Sequence, residues 1–130
     1  KVTHIPTARK YIGKKVLFFE RNKRLGKKAL EALKEERKAK GLKGRTPLKQ
    51  KIVTESDWKT YYGSHKEILE LIKEGKQEDF KREVLQYVPS KKLLTYYECK
   101  YLFIKEALEN RDGYINDNIL GKFYRKDFDL

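Results

Sequence analysis

Two short stretches carry the side chains best suited to chemistry on an anionic substrate. Lys10-Tyr11-Ile12-Gly13-Lys14-Lys15 sets a phenol and two ammonium groups beside flexible backbone. Far downstream, Leu94-Thr95-Tyr96-Tyr97-Glu98-Cys99-Lys100-Tyr101 carries a single carboxylate. A phenol to take a proton, cations to hold a phosphate and a carboxylate to hold a metal are the parts that phosphodiester hydrolysis needs. Each residue also has an ordinary role. Glu98 lies four residues after Leu94 and three before Tyr101, so it projects from the edge of an apolar stripe. A carboxylate there is costly unless it is paired or bound to a cation. Pairing with Lys100 or Lys105 would satisfy it equally well. Tyr11 can be core filler with a wet hydroxyl, and Gly13 a strand end or bulge. If the strand continues, Lys14 and Lys15 point to opposite sides and only one faces a given site.

Other chemistries lack their residues. There is no Cys-x-x-Cys, no His-x-x-x-His and no Gly-rich phosphate loop. His4 and His65 are the only histidines, and neither has a nucleophile arrangement around it. His65 falls in the first turn of an expected helix, where capping and phosphate binding are both open.

The elements that must position these groups follow from periodicity. Residues 1–15 read as the second half of a hairpin, with a Pro6-Thr7-Ala8-Arg9 turn and a strand beginning at Tyr11-Ile12. The apolar burst from Val16 to Phe19 is expected to pack on the core. Residues 24–40 predict a basic helix with a thin apolar side at Leu25, Ala29, Leu30 and Leu33, stopped by Gly41 and Gly44. Residues 41–55 show no period and read as a mobile basic loop. Ser64-His65-Lys66-Glu67 has capping-box spacing, with Ser64 as the cap and Gly75 ending the helix. Residues 82–88 alternate as a strand. Pro89-Ser90 caps the longest helix, about Lys91 to Glu109, whose stripe is Leu94, Tyr97, Tyr101, Ile104 and Leu108. The segment 114–121 is expected to pack back.

At 130 residues there is room for one modest core. No apolar run is long enough to span a bilayer, and no secretory signal pattern is present. Cys99 is the only cysteine, so no intrachain disulfide can form. Charged residues make up 39% of the chain, but 12% aromatics argue against wholesale disorder. The net charge of +13 is unevenly placed. Residues 1–60 hold 19 Lys/Arg against 6 Asp/Glu, whereas residues 61–130 hold 13 of each. A segregated basic surface points to a polyanion, because phosphates neutralised on binding release condensed counterions.

Taken in order, Lys1-Val2-Thr3-His4-Ile5-Pro6-Thr7, Tyr11-Ile12-Gly13-Lys14-Lys15, residues 55–64, residues 80–85 and Tyr97-Glu98 with Asn116 beyond resemble the GIY-YIG nuclease superfamily. The likeness is nearest to its small phage-encoded, homing-type members. It implies an α+β fold, with a small antiparallel sheet of about three strands flanked by helices. It implies one domain over 1–130, interrupted by a basic helix-loop insertion at about 22–55. Tyr11 would be the tyrosine of the second signature, and the first signature, Gly-Ile-Tyr, is expected just upstream of Lys1.

The same resemblance implies a Mg²⁺- or Mn²⁺-dependent endonuclease acting on double-stranded DNA. Glu98 would hold the metal and Tyr11, or else the tyrosine of the upstream first signature, would take a proton from water, its ionised form favoured by Lys14 or Lys15. Arg21, with Arg24 second, would clamp a phosphate, and Asn116, or else Asn118, would support the site. Gly13, Arg24, Lys27, Lys28, Lys43, Arg45, Lys49, Lys51, Lys59 and His65 are the expected nucleic-acid contacts, with Trp58, Tyr61 and Tyr62 near sugars or packed beneath. The expected setting is the cytoplasm of a bacterial or phage-infected cell, without a membrane, and with a homodimer as one route to longer recognition. A non-catalytic module binding DNA or RNA is the alternative.

Overall fold

The computed structural model describes residues 1–129 and divides them into two units. The first comprises Lys1–Lys15 and Trp58 onward; the second is Val16–Asp57.

The first unit is built on a hairpin whose two strands both lie in the chain. β1 (Val2–His4) pairs antiparallel with β2 (Arg9–Tyr11), Val2 opposite Tyr11. The N-terminal segment is therefore a whole hairpin rather than half of one, and Tyr11 ends its strand rather than beginning it. β5 (Phe80–Arg82) pairs on the other side of β1, giving the order β2-β1-β5. Pairing stops at Arg82, so the strand expected over 82–88 is replaced by an earlier and shorter one. Its partner β1 is only three residues long, and a strand extends no further than its ladder.

The sheet is packed on one face. Val2, Phe80 and Ile115 are buried there with Ile68 of α2 (Lys66–Lys73), and Leu71, Ile72, Tyr11 and Tyr62 complete the cluster. The opposite face carries Thr3, Lys10 and Lys81, as period-2 alternation requires. α2 is capped by His65, whose Nδ1 accepts the Glu67 N–H at 3.2 Å, and not by Ser64. Gly75 follows it with positive φ, as expected of a helix stop.

α3 (Lys91–Ile104) is capped by the Ser90 hydroxyl, which accepts the Leu93 N–H. Of the expected stripe, Leu94, Tyr97 and Tyr101 are half-buried and Leu108 is buried, but Ile104 is exposed; Thr95, Glu98, Cys99 and Leu102 are also half-buried or buried, so the inward face is centred about one residue away. Leu102 joins Ile12, Ala107, Leu108, Tyr114 and Ile119 in a second cluster. The later segment packs back as expected: Lys10 donates its N–H to the Gly113 carbonyl and its carbonyl accepts the Ile115 N–H, across a short parallel bridge at Tyr114. A two-residue ladder, β6 (Asn118–Ile119) with β7 (Phe123–Tyr124), closes this end. Arg125 donates to the carbonyls of Ala107, Leu108 and Tyr114, satisfying backbone beyond α3.

The second unit is a ribbon and a helix. β3 (Phe18–Arg24) pairs over its whole length with β4 (Lys49–Glu55), Phe18 opposite Glu55 and Arg24 opposite Lys49. Half of the expected loop is therefore a strand. α1 (Lys27–Ala39) lies between the two strands in sequence, with its N-cap at Gly26 and no buried residue. Phe18 and Phe19 are exposed, so the apolar burst does not pack on a core.

Candidate active site

Tyr11 stands at the mouth of the first unit's hairpin, where β2 ends. Two glycines shape its seat. A Cβ on Gly13 would lie 2.8 Å from Tyr11 Cε1, and one on Gly63 would lie 2.6 Å from the same atom. Gly63 also has φ +100°, a conformation that L side chains rarely adopt. Only residues without a side chain let the backbone come this close to the ring.

Beyond the ring the backbone is fixed from far away in sequence. Asn116 is buried, and its amide makes two bonds to Ile12: Nδ2 donates to the carbonyl at 2.9 Å and Oδ1 accepts the N–H at 3.0 Å. The end of β2 thus gains a partner that no strand supplies.

Tyr11, Ile12, Lys14, Tyr61, Ser64, His65, Lys66, Glu98, Leu102, Asn116, Asp117, Asn118, Leu120 and Gly121 line one cleft of about 550 Å³. All belong to the first unit. Tyr11 arrives from the hairpin, Ser64 to Lys66 from the start of α2, and Glu98 from α3. The rotation of α3 that buries Leu102 is what carries Glu98 inward.

The electrostatics are those of a desolvated acid pair. Burial is the main cause that raises the Glu98 carboxyl above its usual range, and the Lys14 ammonium opposes it. Burial also leads the causes that raise the Tyr11 phenol; the charges of Glu98 and Tyr61 add to it, and hydrogen bonding to Ser64 pulls it back. The expected lowering of Tyr11 by Lys14 or Lys15 does not occur. Lys14 instead donates to Thr95 Oγ1 at 2.7 Å, and the Lys15 ammonium sits 4.3 Å from the centre of the Tyr61 ring.

His65 lies in the cleft with its ring edge towards Tyr11, centroids 5.9 Å apart. Because its Nδ1 accepts a backbone bond, the ring proton of the neutral form sits on Nε2, 3.5 Å from Asp117 Oδ2. Asn118 donates to Asp117 Oδ1 and accepts the Gly121 N–H.

The structure thus brings Tyr11, Lys14, Glu98, Asn116, Asn118 and His65 together. Gly13 borders the ring, and Lys59 belongs to the same unit. Arg21, Arg24, Lys27, Lys28, Lys43, Arg45, Lys49 and Lys51 all belong to the second unit and are exposed there. Tyr62 packs on Phe80 beneath the sheet, and Trp58 packs edge-on against Tyr87. Tyr61, expected near the sugars or beneath them, lines the cleft, whereas sequence reasoning missed Ser64, Lys66 and Asp117. Ser64 and Lys66 carried a signal, because a helix start next to a Gly-aromatic segment presents its first turn to whatever packs there.

An α+β unit with a phenol, a carboxylate and two lysines in one cleft has the makings of a phosphodiesterase. Comparison with known families agrees: residues 1–119 match the model described as "Putative endonuclease segE, GIY-YIG domain". The chain belongs to that family, and so to the GIY-YIG nuclease superfamily. Membership supports a nuclease function in general. No curated protein and no solved structure gives a significant match.

Proposed function

We propose that the chain is a divalent-cation-dependent endonuclease that hydrolyses phosphodiester bonds in double-stranded DNA. The observation that carries this reading is the convergence of Tyr11 and Glu98 on one cleft, joined by Lys14 and Lys66.

The residues present fit a hard cation. Glu98 is a desolvated carboxylate that the Lys14 ammonium does not bring back to its ordinary pKa. Among the described residues no cluster of three His, Cys, Asp or Glu encloses a metal. Mg²⁺ keeps several waters and often takes one or two carboxylates plus substrate phosphate, so a single acid in an open cleft suits Mg²⁺ or Mn²⁺. When bound, such an ion supplies Lewis-acid charge at the scissile phosphate.

The chain's own groups would do the rest. Tyr11 Oη is protonated at rest. It would first have to release that proton to solvent, and as phenolate it would then accept the proton of the attacking water; offsetting the negative charge of Glu98 eases the first step. Lys14 and Lys66 would attract the phosphate oxygens, and Asn116 would hold the backbone that carries the phenol. The activity would operate in the cytoplasm of a bacterial or phage-infected cell.

Nicking of supercoiled plasmid tests this. Activity should need Mg²⁺ or Mn²⁺ and vanish with chelator. Tyr11→Phe and Glu98→Gln should each lose about a hundredfold or more. Comparing Lys14→Ala with Lys66→Ala identifies the main phosphate contact by the larger loss. Chelator-resistant nicking, or full activity without Glu98, would overturn the proposal. The resting protonation of Tyr11 favours a second reading, a binding module without activity; salt-sensitive binding with no cleavage in either metal would establish it.

A further inference from the structure

The ribbon of the second unit has a composition that phosphate tracking alone does not require. Cross-strand partners share a face, so Asn22 with Lys51 and Arg24 with Lys49 form one side of its outer half. Arg21 with Ile52 and Lys23 with Gln50 form the other. Ile52 is the one half-buried residue among the fourteen ribbon positions; the others are exposed. The face of Asn22 and Arg24 is thus exposed at every position, whereas the other carries the half-buried Ile52. The side chains of Asn22, Arg24 and Lys49 have no hydrogen-bond or ion-pair partner among the described residues, whereas Lys51 is held by Glu20 at 3.1 Å.

We propose that this exposed face reads base sequence in the major groove of duplex DNA. Asn22 and Arg24 would contact base edges, and Lys49 and Lys51 the flanking phosphates. The inference rests on the duplex-DNA reading above and adds to it the element that selects the site. The dimensions agree. Paired strands lie about 4.8 Å apart, and a major groove about 12 Å wide admits a two-stranded ribbon where a minor groove of about 6 Å does not. The chemistry agrees as well. A guanidinium matches the O6/N7 edge of guanine and a carboxamide the N6/N7 edge of adenine, whereas lysine supplies a point charge without that planar fork. Glu20, nearer the root of the same face, is repelled by phosphate, so the outer half is the part that enters. A-form RNA is excluded as the occupant, because its major groove is too narrow and deep to be read by side chains.

The test is selection of bound duplexes from a randomised pool by the full chain in chelator, so that cleavage plays no part. The wild type should enrich a short motif. Asn22→Ala and Arg24→Ala should each relax one position of it, with roughly a ten- to hundredfold loss of preference there. Lys49→Ala should weaken binding to all sequences alike and lower the salt slope by about one. Circular dichroism checks that each variant is folded. Binding without any enriched motif, or an unchanged motif in both the Asn22 and Arg24 variants, would overturn the proposal. So would tighter binding to duplex RNA. Absence of plasmid nicking alongside an Arg24-dependent motif would instead remove the nuclease reading and leave this one standing.

Discussion

Glu98 and Tyr11 are both held in their uncharged forms more firmly than in water, and the charge of Glu98 adds to the cost of ionising Tyr11. Replacing Glu98 with glutamine should therefore lower the pKa of Tyr11. Titrating tyrosinate absorbance, with Tyr11→Phe subtracted in each background, measures the shift directly. The same substitution bears on stability. The folded-state pKa of Glu98 is raised, so the folded chain holds that proton more tightly than the unfolded chain. Its contribution is favourable below the ordinary carboxylate pKa of about 4.3 and is lost as pH rises through the raised folded value. Glu98→Gln should thus be the more stable protein at neutral pH. The gain should be under about 1 kcal/mol, because the group is partly screened by solvent, and should disappear below about pH 4. Paired thermal melts across pH read the crossover.

Elements, more than single residues, decide how the cleft is assembled. Asn116 replaces a missing strand at the end of β2, so Asn116→Ala leaves a buried N–H and a buried carbonyl of Ile12 without partners. The expected cost is about 2–4 kcal/mol, measured by urea unfolding, with a larger fall in cleavage than in DNA binding. Part of this architecture was legible in the residues. Ser90 marks the start of α3, Tyr11 and Glu98 stand out by residue type, and Asn116 by the family resemblance. The exact rotation of α3 was not legible, because Ile104 continues the apolar period of Tyr97 and Tyr101 yet is exposed. Leu102 wins because Ile12 and Tyr114 arrive from distant segments to meet it. β4 was invisible for a different reason. Six of its seven residues are exposed, so no alternation between inside and outside was ever written into Lys49–Glu55.

At the scale of the whole chain, the two units differ in what holds them. Every buried apolar residue lies in the first, whereas the second has none. The second nonetheless holds 13 Lys/Arg against 6 Asp/Glu in 42 residues. Counted by unit, the positive excess is shared between the units rather than confined to the first half of the sequence. A ribbon and helix without a core open readily. Hydrogen exchange should show amides of β3, β4 and α1 exchanging well before those of β1, β5 and α3. Adding duplex DNA at low salt should slow exchange in the second unit most. With around six phosphates neutralised, the logarithm of the binding constant should fall with log salt at a slope of about −5, read by fluorescence anisotropy.

The two bonds between Ile12 and Asn116 join residues 104 positions apart. On a ribosome, the segment bearing the phenol emerges 104 residues ahead of the amide that steadies it. A nascent or prematurely released chain would carry its basic ribbon long before it could complete the cutting centre. Polypeptides ending ahead of residue 116 should consequently grip nucleic acid and leave it intact, so that the order of synthesis itself acts as a safety catch for the cell that makes the protein.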